Sequence, residues 1–389
     1  MQLNSKKAKS MLMILGFMAF FANGDNYAVA PLIVDIASDL QIPVNSAALS
    51  VTSYMLSFGL FTVLFGPLGD RYGKTKIIKI AAFGTAIFSS LGAIAFNLES
   101  LIVLRTINGA FAAGIFPVTM ALIGDSFSDK DRQFAIAKVM GMMFLGGASA
   151  TVLGGTLAYF GSWRLVYLAY GLAEFVIALV MIKKLEDSKS TIESLNFKKV
   201  YGQALSNVDM LLVIGIIFVI GYTVFGSFTY SGDYIQQITG YNIFYVGIIL
   251  SFFGLGTVIG GKNAAKLRNK FHDKFLLAAG LLGVVSLYTL SQVSNPFLLM
   301  LSLFGFGWSF VSLQSTLVTY AQAVLPELRG TAMSLASLAM FVGGGVGTFM
   351  NGYIIDAWTM TAVFIIAAGL KISIGIFAHH KIEMSKLRS

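Results

Sequence analysis

The sequence predicts an all-α membrane protein of twelve transmembrane helices, arranged as two pseudo-symmetric six-helix bundles. Three observations carry that expectation. Hydrophobic residues make up 56% of the 389 positions and charged residues only 12%, far from the balance of a soluble domain. Apolar runs of about 20 residues, long enough to cross a bilayer, recur twelve times. Basic residues crowd into alternate connections, the pattern left when basic loops stay in the cytosol.

The expected spans are 11–33, 46–66, 77–96, 100–123, 134–159, 163–184, 209–231, 243–262, 273–292, 296–320, 330–356 and 360–380. The first follows MQLNSKKAKS. It reads as a retained helix, because its apolar run continues past signal length without a small-residue cleavage site. Of the 27 Lys and Arg residues, only Arg105, Arg164 and Lys371 lie away from the N-terminus, the even-numbered connections with the span ends that adjoin them, and the C-terminus. The odd-numbered connections carry Asp35, Asp39, Glu99, Asp233 and Asp356 instead. Both termini are therefore expected in the cytosol. With no cleavable presequence and no large extramembrane domain in view, the cell (cytoplasmic) membrane is the expected location. The same placement argues against a nucleic-acid partner as the reason for the net charge of +9, since the basic residues mark a membrane face rather than a groove. There is no cysteine, so disulfides and thiol ligands are out of reach. No cofactor or metal is expected, and the chain is expected to work as a monomer in the lipid bilayer.

The polar stretch 183–207 is the long connection of the chain. It divides an N-terminal bundle (1–184) from a C-terminal bundle (208–389), with residues 185–207 as a cytosolic linker. The halves look related. Arg132, in SDKDRQFA, corresponds to Arg329, in LPELRGTA, at an offset of 197; the same offset sets Ala135 on Ala332 and Gly155 on Gly352. Two parallel halves of this kind are the sequence mark of a transporter that rocks about a midplane site.

Residues 66–76, GPLGDRYGKTK, stand out among the connections. They pack one acid and three glycines with Arg71, Lys74 and Lys76 into a short link, and Lys79 lies just beyond. The stretch resembles the signature loop of the major facilitator superfamily, Gly-x-Leu-Ala-Asp-Arg-x-Gly-Arg-Lys. Gly66, Leu68, Asp70, Arg71, Gly73 and Lys74 match; Gly69 replaces the usual Ala, and Thr75 stands at the last basic position with Lys76 one step later. LIVLRTINGAFAAG, with Leu101, Arg105 and Gly109, is similar to the superfamily's span 4 motif, Leu-x-x-x-Arg-x-x-x-Gly. The resemblance implies alternating access by two rocking bundles and gives Arg105 a part in proton coupling. With PLIVDIASDL closing span 1, it points to the twelve-helix drug:proton antiporter branch. In span 5, Gly146, Gly154 and Gly155 fit the exporter pattern, but Ala150 and Thr151 stand where Gly and Pro are expected, which keeps uptake by symport as an alternative.

Ionisable residues inside a membrane helix are costly and need a reason. Asp25 sits in a polar break with Asn23, Gly24 and Asn26, about 12 Å below the outer end of span 1 at 1.5 Å per residue. Arg105 enters from the outer side to a depth of roughly 6–8 Å. Either the two pair at one level, or Arg105 snorkels outward and Asp25 hydrogen-bonds its asparagine neighbours. Glu174 in span 6 lies near the midplane between Ala173 and Phe175. It is a second proton-carrier candidate and a candidate partner for cationic substrates, or else a neutral carboxyl kept for packing. Lys371 in span 12 reads as structural. His272, His379 and His380 fall in a loop or at the C-terminal edge, so a proton carried in the core falls to a carboxylate.

Aromatic and amide residues of spans 1, 4, 7 and 10 are expected to line a central cavity: Asn23, Asn26, Tyr27, Asn108, Tyr222, Phe225, Tyr230, Trp308 and Gln314. Their number fits an amphipathic small molecule. Asp70 is placed to dock at the positive N-terminus of span 11, near Thr331. Arg71, Arg132 and Glu327 would add charge-assisted bonds, in a latch that also involves Gly66, Gly73, Lys74 and Arg329. The expected function is proton-coupled export of an amphipathic organic compound. The alternative is a dedicated exporter of one metabolite, such as a metal chelator or a lipid-like molecule. No nucleophile–base pair or metal cluster appears at useful spacing, so an enzyme is not expected.

Overall fold

The computed structural model describes residues 5–127, 129–188, 190, 197–271, 274–325 and 329–386, without the side chains of 129, 130, 132, 133, 197–200, 265, 269, 329 and 377–386. Regular structure among them is helical throughout: α1 (Lys6–Ala28), α2 (Ile33–Asp39), α3 (Val44–Ala47), α4 (Leu49–Tyr72), α5 (Lys74–Gly92), α6 (Leu98–Ala112), α7 (Phe116–Ser126), α8 (Asp129–Phe160), α9 (Trp163–Lys184), α10 (Phe197–Leu205), α11 (Val208–Thr239), α12 (Ile243–Phe271), α13 (Lys274–Gln292), α14 (Pro296–Val324), α15 (Arg329–Ala357) and α16 (Met360–Lys386).

Thirteen of the segments make twelve membrane spans, with α6 and α7 forming one broken span. Nine are long and apolar enough by themselves among the described residues. In α16 the apolar stretch among the described side chains is Met360–Ile376. In α1 the run is interrupted by Asn23, Asp25 and Asn26, and in α5 it is diluted by Lys74, Lys76 and Lys79.

Local chemistry sets the ends. Asn97 caps α6, accepting from Ser100 N while Ser100 Oγ receives the Asn97 backbone N–H, a capping box. Asn295 caps α14, with Pro296 at its first position, where a missing N–H costs nothing. Gly240 ends α11 at φ 70°, the left-handed conformation glycine tolerates. Span 1 is shorter than its apolar run implied. Pro31 falls in a 3-10 turn over Ala30–Leu32, and the chain restarts as α2.

The two halves repeat in three dimensions. In the first, α1 packs on α8, α4 on α6 and α5 on α9; in the second, α11 packs on α15, α12 on α14 and α13 on α16. These are the same pairs of spans: first with fifth, second with fourth, third with sixth. The halves meet through α4 on α15 and α8 on α12, which exchange under the same relation. The repeat extends to atoms. A Cβ at Gly109 would sit 2.3 Å from the Tyr54 carbonyl oxygen, and one at Gly307 2.0 Å from that of Phe253. Gly146 and Gly343 each place the same atom 2.1 Å from a carbonyl oxygen, of Phe20 and Phe218 respectively. Only a residue without a side chain permits such backbone approach. Glu174 and Lys371, both fully buried, occupy equivalent places in α9 and α16, again 197 residues apart.

Candidate functional site

Two features lie near the centre of the molecule: a buried charge cluster within the first half and a cavity between the halves.

The cluster starts from three helices packed side by side. Asp25 on α1 accepts from Arg105 Nη1 on α6 at 3.2 Å and from Asn108 Nδ2, one turn on, at 2.9 Å. Thr85 on α5 donates to Asn108 Oδ1 at 2.8 Å and so orients that amide. The Arg105 guanidinium lies 4.2 Å from the Tyr54 ring centroid and 5.4 Å from that of Tyr167. Its Nε and Nη2 have no hydrogen-bond partner among the described residues, so aromatic faces take the place of water there. Asp25, Arg105 and Asn108 are all at most 2% exposed. Glu174 on α9 faces Thr85, with Asp25 and Arg105 near enough to act on it electrostatically. Neither of its oxygens has a partner of good hydrogen-bond geometry, because Thr85 spends its proton on Asn108.

Arg105 is thus turned inward rather than toward the outer interface, and Asp25 bonds across helices rather than to Asn23 or Asn26. Asn23 instead donates to the Met143 carbonyl on α8 at 2.9 Å. Lys371 is fully buried, its Nζ without a hydrogen-bond partner among the described residues and 5.6 Å from the Phe306 ring.

The cavity has a volume of about 170 Å³. Its walls come from the second half of α1, the first half of α4, the middle of α11 and the halves of α8, α14 and α15 nearer the face that bears the termini. The kink between α6 and α7, where Pro117 opens a new helix, adds Ile115 and Phe116. Toward the opposite face the halves are closed. A Cβ at Gly232 would sit 2.8 Å from the Ala30 oxygen, Asn45 Nδ2 donates to Asp356 at 2.5 Å, and the rings of Tyr27, Phe225, Phe228 and Phe253 pack on one another at tilted and edge-on angles.

Of the nine expected cavity residues, Asn23, Asn26, Tyr27, Phe225 and Gln314 line it. The other four do not, and the expectation is corrected for each. Asn108 is consumed by Asp25. Tyr230 points across the bundle and donates to the Thr348 carbonyl at 3.0 Å. Trp308 packs on Gly260 and Phe304. Tyr222 sits on the α11–α15 seam, its carbonyl oxygen 2.5 Å from a Cβ built at Gly347. Glu174, a candidate partner for cationic substrates, is likewise absent from the walls. Sequence reasoning missed Tyr54, Phe58, Met140, Met143, Met333, Met340 and Phe341. These belong to α4, α8 and α15, helices read for their loops and glycines rather than for their faces.

At the face of the termini, Lys74 Nζ bridges Asp70 and Asp125 at 2.7 Å each, tying the ends of α4 and α7 together. Arg71 is exposed, its guanidinium 5.1 Å from the Tyr72 ring. Gly73 takes φ 94°, and a Cβ there would meet the Ser188 oxygen at 2.4 Å. That contact belongs to the start of the linker. Ser188 Oγ accepts from Thr75 N at 3.0 Å, Lys79 bridges Asp187 at 2.8 Å and Lys7 bridges Glu186 at 2.5 Å. The Lys79 ammonium holds the Asp187 carboxyl below its ordinary range. Gly66 lies beside Ser334 of α15. Glu327 and the side chains of Arg132 and Arg329 lie outside the described residues, as do His272 and the side chains of His379 and His380. On the opposite face Arg164 bridges Asp39, and Trp163 Nε1 donates to it at 3.2 Å. The Arg164 hydrogen bond holds that carboxyl below its ordinary value.

Twelve spans in two like halves, closed on one side of a central cavity, define a multi-pass membrane transporter rather than an enzyme. The family model for the Major Facilitator Superfamily matches residues 15–348, and the chain belongs to that superfamily. Similar proteins include an uncharacterized transporter of Buchnera aphidicola subsp. Schizaphis graminum, 22% identical across 89% of this chain and 85% of its own. The uncharacterized MFS-type transporter YtbD of Bacillus subtilis is 26% identical across 89% and 88%. A triacylglyceride transporter of Mycolicibacterium smegmatis is 30% identical over 179 residues, 45% of this chain and 31% of that protein. Among solved structures, a bacterial homolog of the human lysosomal transporter Spinster, inward-facing and unoccupied, superposes with a TM-score of 0.78 at 14% identity, over 96% of this chain and 95% of that one. The nucleoside transporter NupG does so at 0.77 and 14% identity, over 95% and 98%. At these identities the structures share the fold. The bacterial relatives place such chains in the cell membrane.

Proposed function

We propose that the chain is a proton-coupled secondary transporter that exports an amphipathic organic compound by alternating access, as in the drug:proton antiporter branch. The observation that carries the reading is the buried cluster, in which Asp25 pairs with Arg105 while Glu174, within electrostatic reach of both, has no hydrogen-bond partner among the described residues. Counting charges, the cluster is neutral with one proton aboard, and an uncompensated carboxylate at membrane depth is costly. Gaining or losing that proton therefore changes the free energy of whichever state keeps the cluster dry, and so biases the equilibrium between states. In this reading both termini are cytosolic, the cavity faces the cytosol to load, and the bundles 1–184 and 208–389 rock about it as a monomer. The loop 66–76 acts as a latch on the same face. There Lys74 gathers Asp70 and Asp125, and Arg71, Arg132 and Arg329 supply the remaining charges.

A second reading, a dedicated exporter of a lipid-like molecule, draws on the apolar walls of the cavity and on the similarity of 45% of the chain to triacylglyceride transporters. Inside-out vesicles carrying the purified protein test both. Under an imposed pH gradient, an amphipathic dye should accumulate with wild-type protein and fail to do so with Asp25→Asn or Glu174→Gln. Asp70→Asn should impair transport while the protein stays in the membrane. Dye movement that ignores both carboxyl substitutions would count against proton coupling through the cluster.

A further inference from the structure

The cavity walls offer hydrogen bonds and apolar surface but no charge. Among the described residues that line it, the polar side chains are the amides of Asn23, Asn26 and Gln314 and the hydroxyls of Tyr27, Tyr54, Ser315 and Ser337. The rest of the wall is aliphatic, aromatic or methionine, a surface that adapts to varied apolar shapes. The nearest charges are turned away. Successive residues on a helix point about 100° apart, so Asn26 lines the cavity while Asp25 faces Arg105. The Tyr54 ring lines the cavity too, with the guanidinium against it. Among the fully buried polar atoms of the wall, one lacks a partner within the described residues. Asn26 is 6% exposed, and its Oδ1 accepts no hydrogen bond. A buried acceptor left in that state is unfavourable, and a small turn of the Asn26 amide, itself part of the wall, offers it to a donor that enters the cavity.

We infer that the cavity takes an uncharged amphipathic molecule, whose hydroxyl or amide N–H is donated to Asn26 at the inner end while its apolar body lies against the methionine and phenylalanine walls. The inference rests on the transport reading for the cavity's role as the cargo site. It excludes cations as preferred cargo, because no carboxylate of the described residues reaches the cavity to replace the water that an ammonium loses on entry. It also fixes the electrical character of the cycle. Exchange of a neutral molecule for a proton moves net charge, so a membrane potential drives it without a pH gradient. For each proton exchanged, about 59 mV sustains a tenfold accumulation.

Three naphthalene probes test the inference by equilibrium binding to the protein in nanodiscs: 2-naphthol, 2-methoxynaphthalene and a permanently cationic naphthylmethyl trimethylammonium. The expected order is naphthol first, the ether about tenfold weaker for want of the donated hydrogen bond, and the ammonium weaker by roughly 30-fold or more. Asn26→Ala should bring naphthol and ether together. Gln314→Glu should raise ammonium binding relative to naphthol about tenfold, with Ser337→Glu serving if the first variant does not fold. Wild-type binding of the ammonium as tight as naphthol overturns the inference. So does a naphthol preference that survives Asn26→Ala, or a failure of all three probes to bind. Vesicle assays keep the two readings apart. Gradient-driven movement of a cation removes the neutral class and leaves coupled transport standing. Binding of naphthol without gradient-driven movement removes coupled transport and leaves the cavity assignment standing.

Discussion

The close approach of α4 and α6 at Gly109 permits a quantitative test. A Cβ at that position falls 2.3 Å from the Tyr54 carbonyl oxygen, where ordinary contact begins at 3.4 Å. Because the obstacle is backbone, Gly109→Ala must part the two helices by about 1 Å, and overpacking of this kind costs about 1–3 kcal/mol. The displacement acts where the charge cluster is held. Asn108, its neighbour, donates to Asp25 at 2.9 Å, and Arg105, one turn earlier, reaches Asp25 at 3.2 Å and lies over the Tyr54 ring. A shift of about 1 Å takes either bond out of hydrogen-bonding range. Gly307→Ala provides the matched control, because it creates the same clash at the equivalent crossing, 2.0 Å from the Phe253 oxygen, in the half without the cluster. Gly124→Ala and Gly141→Ala meet nothing within 4 Å, and alanine favours the helix by about 1 kcal/mol. Thermal unfolding in detergent should show Gly109→Ala and Gly307→Ala both less stable than wild type, with the other two unchanged or slightly more stable. Gradient-driven transport per folded molecule should fall in Gly109→Ala and hold in Gly307→Ala. The contact geometry is refuted if Gly109→Ala unfolds no earlier than wild type. The link from cluster geometry to coupling is refuted if both crossings lose transport equally.

Further outcomes follow from individual groups. Asp25→Asn and Arg105→Gln should each cost about 3–5 kcal/mol, the range for breaking a buried pair. The double variant should cost clearly less than their sum, and additivity within about 0.5 kcal/mol would show that the two do not interact. Lys371→Met removes a fully buried ammonium whose Nζ has no hydrogen-bond partner among the described residues and should stabilise the protein by about 1 kcal/mol or more; a lower unfolding temperature would refute that reading. Asp39→Asn, on the face away from the termini, should cost about 0.5–1 kcal/mol near neutral pH, as befits a half-exposed pair screened by solvent. Arg164 lowers the folded-state value of Asp39 below the ordinary 3.8. The contribution is therefore complete above that value and is lost as pH falls through the folded one, so wild type and variant should converge in acid.

The architecture was legible in the amino-acid sequence for a simple reason. A bilayer demands about 20 apolar residues per helix, and no polar loop can hide inside one. The spans and their order are therefore written in hydropathy: α9 runs over Trp163–Lys184, the bounds read from the sequence. The relation between the halves was legible too, as an offset of 197 that reappears as paired backbone contacts at Gly146 and Gly343. Depth counting put Asp25 about 12 Å and Arg105 roughly 6–8 Å below the outer end, because helical rise is fixed at about 1.5 Å per residue, and left pairing and snorkelling both open. What sequence did not resolve is direction around each helix axis. In a soluble helix, polarity marks the outward face; in a membrane helix, lipid and protein neighbours are equally apolar, and the periodic signal fades. Only packing decided that Tyr27 and Phe225 look into the cavity while Tyr222, Tyr230 and Trp308 look elsewhere. Packing also turned Asn108 toward Asp25, set Tyr54 between Arg105 and the cavity, and joined Lys74 to Asp125 across 51 residues of sequence. The sequence by itself determined which helices cross the membrane and how deep their charges lie. The tertiary structure decided which side chains meet, because rotation about a uniformly apolar helix costs nothing until a neighbour is in place.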